Sequence, residues 1–585
     1  MSITHLRIGE KKVMNMESKL HPVREMSTLK EMLNQGAELF GDKPAFLSKE
    51  KKGGEYFEIS HKQFKEDVDA LGTKLLDLGL EGKKIAVMGN NCYHWVVAYF
   101  AVANGVGTIV PLDKELKENE IYNLLEAAEC SAVFYTSNFS EYFENYDIEH
   151  KFTMDIYMDK DRKLAENSLA KMVNEGKDLV AAGNRNYIDK EIDKEAMSSL
   201  LFTSGTTGVP KGVMLCHRNF CYVVRATTQI VSAKGEKVSL SVLPIHHTFE
   251  STIGIMVVLF QGGAIAFCEG LKYVLKNMQQ AKASIIIGVP LIVESIYTKI
   301  WKEAEKTGKA KLLNKAVKVN KTLRAMGIDL RKKIFKSVRD NFGGNFKLVI
   351  CGAAAMNPNI LRGFVDLGFD LSQGYGLTET APLVCGVPDF ENPAKKAGSC
   401  GPAIPGTEIM IKDPNEDGIG EILIKGPGVM LGYYNMPEAT AEVLKDGWFH
   451  SGDLGFLDKE GWLYITGRKK NVIVTKTGKN IYPEEIEELV NKMAYVEESM
   501  IFGMQKEADD EYYVAVQIFP NYADIKSDKG DLSDEDIYEM FKDEIYQINK
   551  NLVSYKRIKK IIIRKEDFVR TTTKKIKRQE NMDVK

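Results

Sequence analysis

Hydroxyl side chains and glycines alternate from Thr203 to Gly208 in the sequence TSGTTG, and Lys211 follows in VPKG. Glycines let the main chain approach an anion closely, and successive backbone N–H groups form an anion-binding nest. Lys211 adds a charge worth ~4 kcal/mol against a unit anion about 4 Å away at an effective dielectric of 20. Because Pro210 precedes this lysine, the common phosphate loop G-x-x-x-x-G-K-[ST] is not matched. We expect a phosphate-binding loop here, and a Ser/Thr-rich surface turn is the alternative.

A second group of chemically capable residues lies in SQGYGLTET, which runs from residue 372 to residue 380. Tyr375 stands between two glycines, where its ring could stack on a base. Glu379 offers a hard oxygen ligand suited to Mg²⁺, which proteins hold through one or two groups plus phosphates. The alternative is a tight turn with a surface glutamate.

Two further groups occur nearer the C-terminus. Asp453 lies in a Ser-Gly-Asp turn of WFHSGDLGF, where its carboxylate could accept two ribose hydroxyls. An aspartate that hydrogen-bonds its own turn is the alternative interpretation. Lys575 lies among other cations in FVRTTTKKIKR, for which a solvated basic tail is the alternative.

The elements that must position these groups are short β-branched runs that end in small-residue turns. They are KKIAVMGNN, GTIVPLD, ECSAVFYT, ASIIIGVP and FKLVICGAAA. Such runs are typical of buried parallel strands with helices between them, whose ligands bind at the carboxyl ends of the strands. The helix predicted in CYHWVVAYFAVANGV should break at Gly105. The pattern predicts an α/β protein whose large N-terminal domain, residues 1–469, contains layered and largely parallel sheets.

After Gly467 the sequence becomes richer in charge and predicts a second, small α+β domain over residues 470–585. Pro483 stands where a first helical turn would begin, with two glutamates after it. YYVAVQIF and KRIKKIIIRKEDF read as strands, and DEDIYEMFKDEIYQINKNL reads as a helix between them.

Composition excludes several classes of protein. A net charge of -2 over 585 residues argues against a nucleic-acid binder. None of the eight cysteines forms a C-x-x-C pair, so zinc and dithiol chemistry are disfavoured and free thiols in a reducing cytoplasm are expected. The N-terminal residues carry charges where a signal peptide needs an apolar core. No run is long enough to cross a bilayer.

Two segments permit more than one interpretation. The apolar run Ile253–Phe267 predicts a buried helix followed by a strand, and it could also line a tunnel for an apolar chain. The strongly basic segment Lys299–Asn345 predicts solvated helices, while a surface that meets anionic lipid is the alternative.

The motifs TSGTTGVPKG, GYGLTET, WFHSGDLGF, GRKKNVIV and TTTKKIKR occur in the order and spacing of the adenylate-forming superfamily. The chain resembles this superfamily over nearly its whole length, most closely the long-chain fatty acid–CoA ligase branch. Members attack the α-phosphorus of ATP with a carboxylate, release pyrophosphate, and then pass the acyl group from its adenylate to a thiol, normally that of coenzyme A. The protein must neutralise and align two anions, since a carboxylate needs no base.

The resemblance assigns nucleotide and metal contacts to residues of five motifs: Thr203, Ser204, Gly205, Thr206, Thr207, Gly208, Lys211, Gly352, Ala353, Ala354, Tyr375, Gly376, Thr378, Glu379, Asp453 and Arg468. The loop would hold the β- and γ-phosphates, and Thr203 and Glu379 would bind Mg²⁺. The CGAAA and Tyr375 positions would enclose the adenine, and Thr378 would contact the α-phosphate. Asp453 and Arg468 would hold the ribose.

The remaining implied roles concern the acid, the thiol and domain motion. His247 in LPIHHTFE would lie beside the acyl carboxylate, and Lys575 would bridge it to the α-phosphate. A contribution of Lys574 stays open, since family members usually have glycine there. The small domain would be mobile about Lys470, a position where many relatives carry aspartate, and would bring Gly478 to the coenzyme A channel.

The identity of the acid and of the acceptor is narrowed by the resemblance. Acetate-activating relatives have tryptophan where this chain has Gly376, so a longer acid, medium- or long-chain, is expected. An aryl acid, a separate acyl carrier protein as acceptor, and a protein that only binds nucleotide or acyl ligands are the alternatives. We expect ATP, Mg²⁺ and coenzyme A as cofactors, no nucleic-acid partner and a cytoplasmic location. Peripheral contact with the inner face of a membrane and a homodimer are left open.

Overall fold

The computed structural model describes residues 18–159, 163–203, 210–232, 237–354, 356–474, 479–506, 509–570 and 576–582. The chain divides into two compact units. The first consists of Met1–Ile409, Ile424–Phe449 and Asp458–Leu463, and the second of Met410–Leu423, His450–Leu457 and Tyr464–Lys585.

Sheet A, in the first unit, has eight strands whose six inner members are parallel, with an antiparallel strand at each edge. In spatial order the strands are Leu383–Gly386, Asp370–Gly376, Leu348–Cys351, Ile285–Gly288, Val238–Ser241, Ala264–Phe267, Pro44–Lys49 and Tyr56–Ser60. Its inner strands Ala264–Phe267, Ile285–Gly288 and Leu348–Cys351 are almost wholly buried. Continuous apolar strands of this kind are expected when helices cover both faces of a parallel sheet.

Sheet B, also in the first unit, has seven strands. In spatial order they are Gly432–Tyr433, Lys211–Cys216, Met197–Thr203, Thr108–Leu112, Lys84–Met88, Cys130–Thr136 and His150–Met154. The last five are parallel, and the first two are antiparallel additions at one edge. This edge brings the strands on either side of the predicted phosphate loop next to each other.

Helices of the first unit follow the strands in α/β alternation. Those of eight residues or more are Leu29–Phe40, His61–Asp77, Tyr93–Ala101, Glu118–Ala127, Leu169–Ala181, His217–Ile230, Pro290–Lys306, Ala310–Ala325 and Pro358–Asp366. Shorter ones are Ser140–Phe143, Val257–Phe260, Val274–Gln280, Arg331–Ile334, Lys336–Asp340 and Pro437–Val443, and π-helical turns cover Val102–Val106 and Phe249–Met256. Local sequence explains where several helices begin. Thr28 Oγ1 accepts a hydrogen bond from the N–H of Glu31 and caps the first helix. Prolines occupy the first position of four helices named here, at Pro290, Pro358, Pro437 and, in the second unit, Pro483.

Most residues of a five-stranded sheet belong to the second unit. Its strands are Glu408–Lys412, Gly420–Lys425, Leu444–Lys445, Trp448–Leu457 and Leu463–Arg468. The second unit also has a short pair, Ile473–Val474 with Asn480–Ile481, and a three-stranded sheet of Val496–Lys506, Asp509–Pro520 and Ile558–Ile563. The helices Pro483–Val490, Tyr522–Lys529 and Asp534–Asn551 belong to it. A hydrophobic core of buried residues between Ile473 and Ile558 joins the last sheet to two of these helices.

The predicted class of fold, α/β with largely parallel sheets and a smaller α+β part, is confirmed by this topology. The five β-branched runs all form parallel strands of sheets A and B. Gly105 has φ +150° and interrupts the helical turns, as predicted. The run from Ile253 forms helix and then strand, also as predicted. No helix in the described ranges is long and apolar enough to span a membrane.

Candidate active site

Thr203 and Lys211 are direct partners in adjacent antiparallel strands of sheet B. The Thr203 hydroxyl donates to the carbonyl oxygen of Lys211 at 3.4 Å. The strands on either side of the predicted phosphate-binding loop therefore meet at this pair of residues. The predicted loop residues Ser204, Gly205, Thr206, Thr207 and Gly208 lie outside the described residues.

Tyr433 connects the lysine of this loop to the predicted metal ligand. Its hydroxyl donates to Glu379 Oε1 at 3.0 Å, and Lys211 Nζ lies 4.7 Å from the centre of its ring. Burial raises the pKa of the Tyr433 hydroxyl, and the Glu379 carboxylate acts in the same direction, so the phenol stays a donor at neutral pH. Two residues predicted from separate motifs thus contact one side chain.

Sheet pairing explains why Tyr433 reaches this position. Gly432 and Tyr433 pair with Met214 and Val213 at the edge of sheet B. The N–H of Met430 donates to the backbone oxygen of Glu379 at 2.9 Å. Sequence reasoning missed Tyr433, and the signal available was the aromatic pair in LGYYNMPEAT just before a proline-initiated helix.

The predicted adenine-binding residues follow neighbouring parallel strands of sheet A. Gly352, Ala353 and Ala354 come directly after Leu348–Cys351, whose partner strand, Asp370–Gly376, contains Tyr375. Ala353 has φ +67°, which marks a sharp turn, and both alanines are exposed. Thr378 lies beyond that second strand, in the turn Thr378–Thr380. The two motifs therefore emerge at the same edge of the sheet.

Gly376 is required by the backbone around it. A Cβ atom at this position would lie 1.6 Å from the carbonyl oxygen of Pro382, and the residue pairs with Leu383 across the strands. No side chain fits with this backbone. The absence of a tryptophan here thus has a local steric cause, and the inferred effect on acyl-chain length stays a prediction.

His247 lies beside a second histidine and a buried carboxyl. The rings of His246 and His247 are 4.9 Å apart, and His246 Nε2 lies 3.5 Å from Asp113 Oδ2. Burial lowers the pKa of His246, while the Asp113 carboxylate acts in the opposite direction. Three residues further on, Glu250 is only 1% exposed, and burial raises its pKa to about 8. Sequence reasoning missed Glu250, for which the available signal is an acid at the head of an apolar run.

Asp453 and Arg468 form an ion pair within the second unit. Arg468 Nε lies 2.6 Å from Asp453 Oδ1, with the aspartate side chain 5% and the arginine side chain 45% exposed. The N–H of Asp453 donates to Ser451 Oγ at 3.0 Å, which fixes the turn that carries the carboxylate. Lys470 lies in the turn Lys469–Asn471. Gly478, Lys574 and Lys575 lie outside the described residues.

The metal-binding capacity of the described ranges rests on single carboxylates. They contain no group of three or more His, Cys, Asp or Glu placed to hold a metal ion. Glu379 is half-buried and held by Tyr433, which suits an ion that takes one or two protein oxygens and completes its shell with phosphate and water. The donor set therefore fits Mg²⁺ rather than zinc or calcium.

Residues 33–434 match the family of AMP-binding enzymes, and residues 470–583 match the AMP-binding enzyme C-terminal domain. The chain belongs to this family of enzymes, and the predicted adenylate-forming superfamily is confirmed.

Curated relatives are ligases of fatty acids. A chloroplastic long-chain-fatty-acid–[acyl-carrier-protein] ligase of Arabidopsis thaliana is 26% identical and covers 82% of this chain and 75% of its own. A long-chain-fatty-acid–CoA ligase of Gallus gallus is 27% identical over 81% of this chain, which spans 66% of that relative. ATP-bound MatB from Rhodopseudomonas palustris superposes with a TM-score of 0.71 at 25% identity, over 94% of this chain and 98% of that one.

Proposed function

We propose that this protein activates a medium- or long-chain fatty acid with ATP to an acyl-adenylate and transfers the acyl group to coenzyme A, with AMP and pyrophosphate as the other products. The observation that carries the proposal is the convergence of Lys211 and Glu379 on Tyr433. It joins a phosphate-loop cation to a metal-ligand anion within a family of AMP-binding enzymes.

Different residues of the first unit bind different parts of the nucleotide. Lys211 neutralises the leaving pyrophosphate, and the CGAA turn with Tyr375 binds the adenine. Thr378 contacts the α-phosphate. The CGAA turn, Tyr375 and Thr378 lie at or beyond the carboxyl ends of two parallel strands, where ligands of open α/β sheets bind. Lys211 begins the antiparallel strand that pairs with Thr203, the last residue of a strand parallel to its other neighbour in sheet B.

Thr203 and Glu379 would hold Mg²⁺. When bound, this ion neutralises charge on the phosphate oxygens. Tyr433 keeps the Glu379 carboxylate oriented, so that one of its oxygens is fixed before the nucleotide arrives. Such preorganisation avoids reorganisation during the reaction.

We assign the ribose hydroxyls to Asp453 and Arg468, whose ion pair holds the carboxylate in one orientation. His247 is assigned to the acyl carboxylate and Lys575 to the bridge between that carboxylate and the α-phosphate. Gly478 is assigned to coenzyme A. The proposed boundary and hinge is Lys470, where the match to the C-terminal family domain begins.

Two alternatives keep specific support. Transfer to a separate acyl carrier protein is the reaction in the name of the Arabidopsis relative. An aryl acid is consistent with the shared fold, since anthranilate–CoA ligase superposes with a TM-score of 0.72. The fatty-acid assignment is preferred because both curated relatives named above act on long-chain fatty acids.

The test is a panel of acids from acetate to palmitate, with benzoate and anthranilate, assayed for AMP release with and without coenzyme A. We expect coenzyme A-dependent turnover that is greatest with the longer aliphatic acids. AMP release that needs a carrier protein would defeat the coenzyme A assignment. No turnover on any acid would favour a protein that only binds its ligands.

The cellular setting is also a proposal. We propose a reducing cytoplasm as the location, in which the eight cysteines would stay thiols. A homodimer stays a prediction, which light scattering on the purified chain will test. Peripheral contact with the inner face of a membrane also stays a prediction.

A further inference from the structure

The basic helix Ala310–Ala325 has an apolar side that the protein core does not use. Its inner side packs against the core beneath sheet A through Leu313, Ala316 and Val317. Its outer side presents Leu312 and Val319, and Met326 at the C-cap continues their line. These three residues, here called the outer stripe, are 66%, 48% and 69% exposed. The helix therefore buries one apolar face and leaves a second one in solvent.

The outer stripe is a continuous line. Its members recur every seven residues, and an α-helix drifts by only about 20° over that interval, so the three side chains lie one above another. Ile328 and Leu330 follow the helix and are also exposed. Single exposed apolar residues need no explanation, whereas an aligned set is typical of a binding surface.

Positive charge is concentrated beside the stripe. Residues 309–340 contain eleven lysines and arginines and two acids, although the whole chain has a net charge of -2. Lys321 and Arg324 are neutralised by Asp366, at 2.9 and 3.5 Å.

The lysines next to the stripe differ from this neutralised pair. Lys311, Lys315 and Lys318 are exposed, and within the described ranges no acidic side chain forms an ion pair with them. At about 100° per residue they lie along one flank of the outer stripe. Their charges are therefore available to a ligand outside the chain.

We propose that the outer stripe and its flanking lysines form a docking surface for an anionic lipid membrane. Apolar side chains in a line enter the boundary of the acyl region, while lysines beside them extend their charged ends to lipid phosphates. The local positive charge in a nearly neutral chain selects an anionic surface. In this proposal the outer stripe and its flanking lysines are the part of the chain that contacts the membrane. Binding to vesicles does not depend on the proposed enzymatic activity.

The experiment is co-sedimentation of the full-length protein with vesicles, without ATP, acid or coenzyme A. Vesicles of phosphatidylcholine alone are compared with vesicles that contain about one third phosphatidylglycerol. One variant combines Leu312→Ser, Val319→Ser and Met326→Ser, and another combines Lys311→Gln, Lys315→Gln and Lys318→Gln. We expect the wild-type chain to bind only the anionic vesicles, more weakly in high salt, and each variant to bind at least tenfold more weakly.

Controls use exposed residues elsewhere: Leu39→Ser, on a helix where Leu39 is 56% exposed, and Lys51→Gln with Lys62→Gln. They should bind like the wild type, and thermal unfolding should be similar in all variants. Failure of the wild type to bind anionic vesicles, equal binding to neutral ones, or full binding by the stripe variant would overturn the inference. Because turnover on the panel of acids is measured separately and without vesicles, failure of the proposed function would be recognised independently.

Discussion

Tyr433 is the residue on which the phosphate-binding part of the proposed site converges. Its hydroxyl donates a hydrogen bond to Glu379, and its ring contacts the Lys211 ammonium group. One side chain therefore has two separable roles. A hydroxyl that donates to a carboxylate orients it, and an aromatic face attracts a cation electrostatically. The two roles can be removed one at a time.

Tyr433→Phe keeps the ring and removes the hydrogen bond to Glu379. Hydrogen bonds to charged groups contribute about 1.5–3 kcal/mol, so we expect Mg²⁺·ATP to bind roughly 10- to 100-fold more weakly. Tyr433→Leu should weaken the binding of Mg²⁺·ATP further, since it also removes the ring beside Lys211. The matched control is Tyr434→Phe, whose hydroxyl donates to the exposed Glu129. The measurement is KM for ATP across a Mg²⁺ titration, and equal values for Tyr433→Phe and wild type would contradict the assignment.

Lys575→Ala tests the second cation of the proposed chemistry. By analogy with the loss of one preorganised donor, adenylate formation should slow by about 10²- to 10³-fold or more. Thioester formation from supplied acyl-adenylate should be spared. Lys574→Ala is the neighbouring control, and a larger effect there than at Lys575 would transfer the role to Lys574.

Glu250 should make the free energy of unfolding fall as the pH rises. Burial raises its pKa from 4.5 to about 8, so the unfolded chain loses this proton first as pH rises. The contribution of Glu250 to folding stability is thus complete below pH 4.5 and is lost progressively up to pH 8. Glu250→Gln should therefore gain stability relative to wild type across this range, on the order of a few kcal/mol. Urea unfolding at several pH values measures it, with the exposed Glu442→Gln as a control that should show no trend.

At the scale of elements, the packing of helices His61–Asp77 and Leu169–Ala181 depends on Gly176. A Cβ atom there would lie 2.0 Å from the carbonyl oxygen of Ala70. Gly176→Ala should force the helices apart and lower the free energy of unfolding by about 1–3 kcal/mol. This loss exceeds the roughly 0.5–1 kcal/mol by which alanine stabilises a helix relative to glycine.

Gly36→Ala is the matched control for that change, since Gly36 also lies inside a helix. The nearest atom to its added Cβ would be His61 Nδ1 at 3.5 Å, an ordinary contact. This variant should gain about 0.5–1 kcal/mol. Denaturant unfolding of both variants decides the matter, and a destabilised Gly36→Ala together with a neutral Gly176→Ala would refute the packing argument.

Strands were predictable from sequence because burial on both faces leaves a β-branched run such as Ile285–Gly288. Helix Pro483–Val490 was predictable because a proline and two glutamates mark its start. The contact of Tyr433 with Glu379 was not, since it follows from strand pairing between distant segments. The steric demand at Gly376 likewise depends on a carbonyl from another strand. Local patterns thus identify elements and motifs, while long-range pairing decides which side chains meet.

At the scale of the whole molecule, the proposed two-step chemistry requires one chain to support two half-reactions. Lys470 is the proposed hinge. Lys470→Pro should block one half-reaction and spare the other, because proline fixes φ near −65° and removes an N–H donor. Adenylate formation and thioester formation are assayed separately, with Lys469→Pro as the neighbouring comparison. Normal rates in both steps would end the hinge proposal.

The hydrophobic core of the C-terminal region makes segmental isotope labelling of this protein practical. Its buried members, from Ile473 to Ile558, all come after Lys470. A fragment that begins at this lysine therefore contains the apolar side chains of that core. It could be produced alone, enriched in ¹⁵N and ligated to an unlabelled N-terminal fragment. Magnetic resonance would then observe a small set of amides inside a chain of 585 residues.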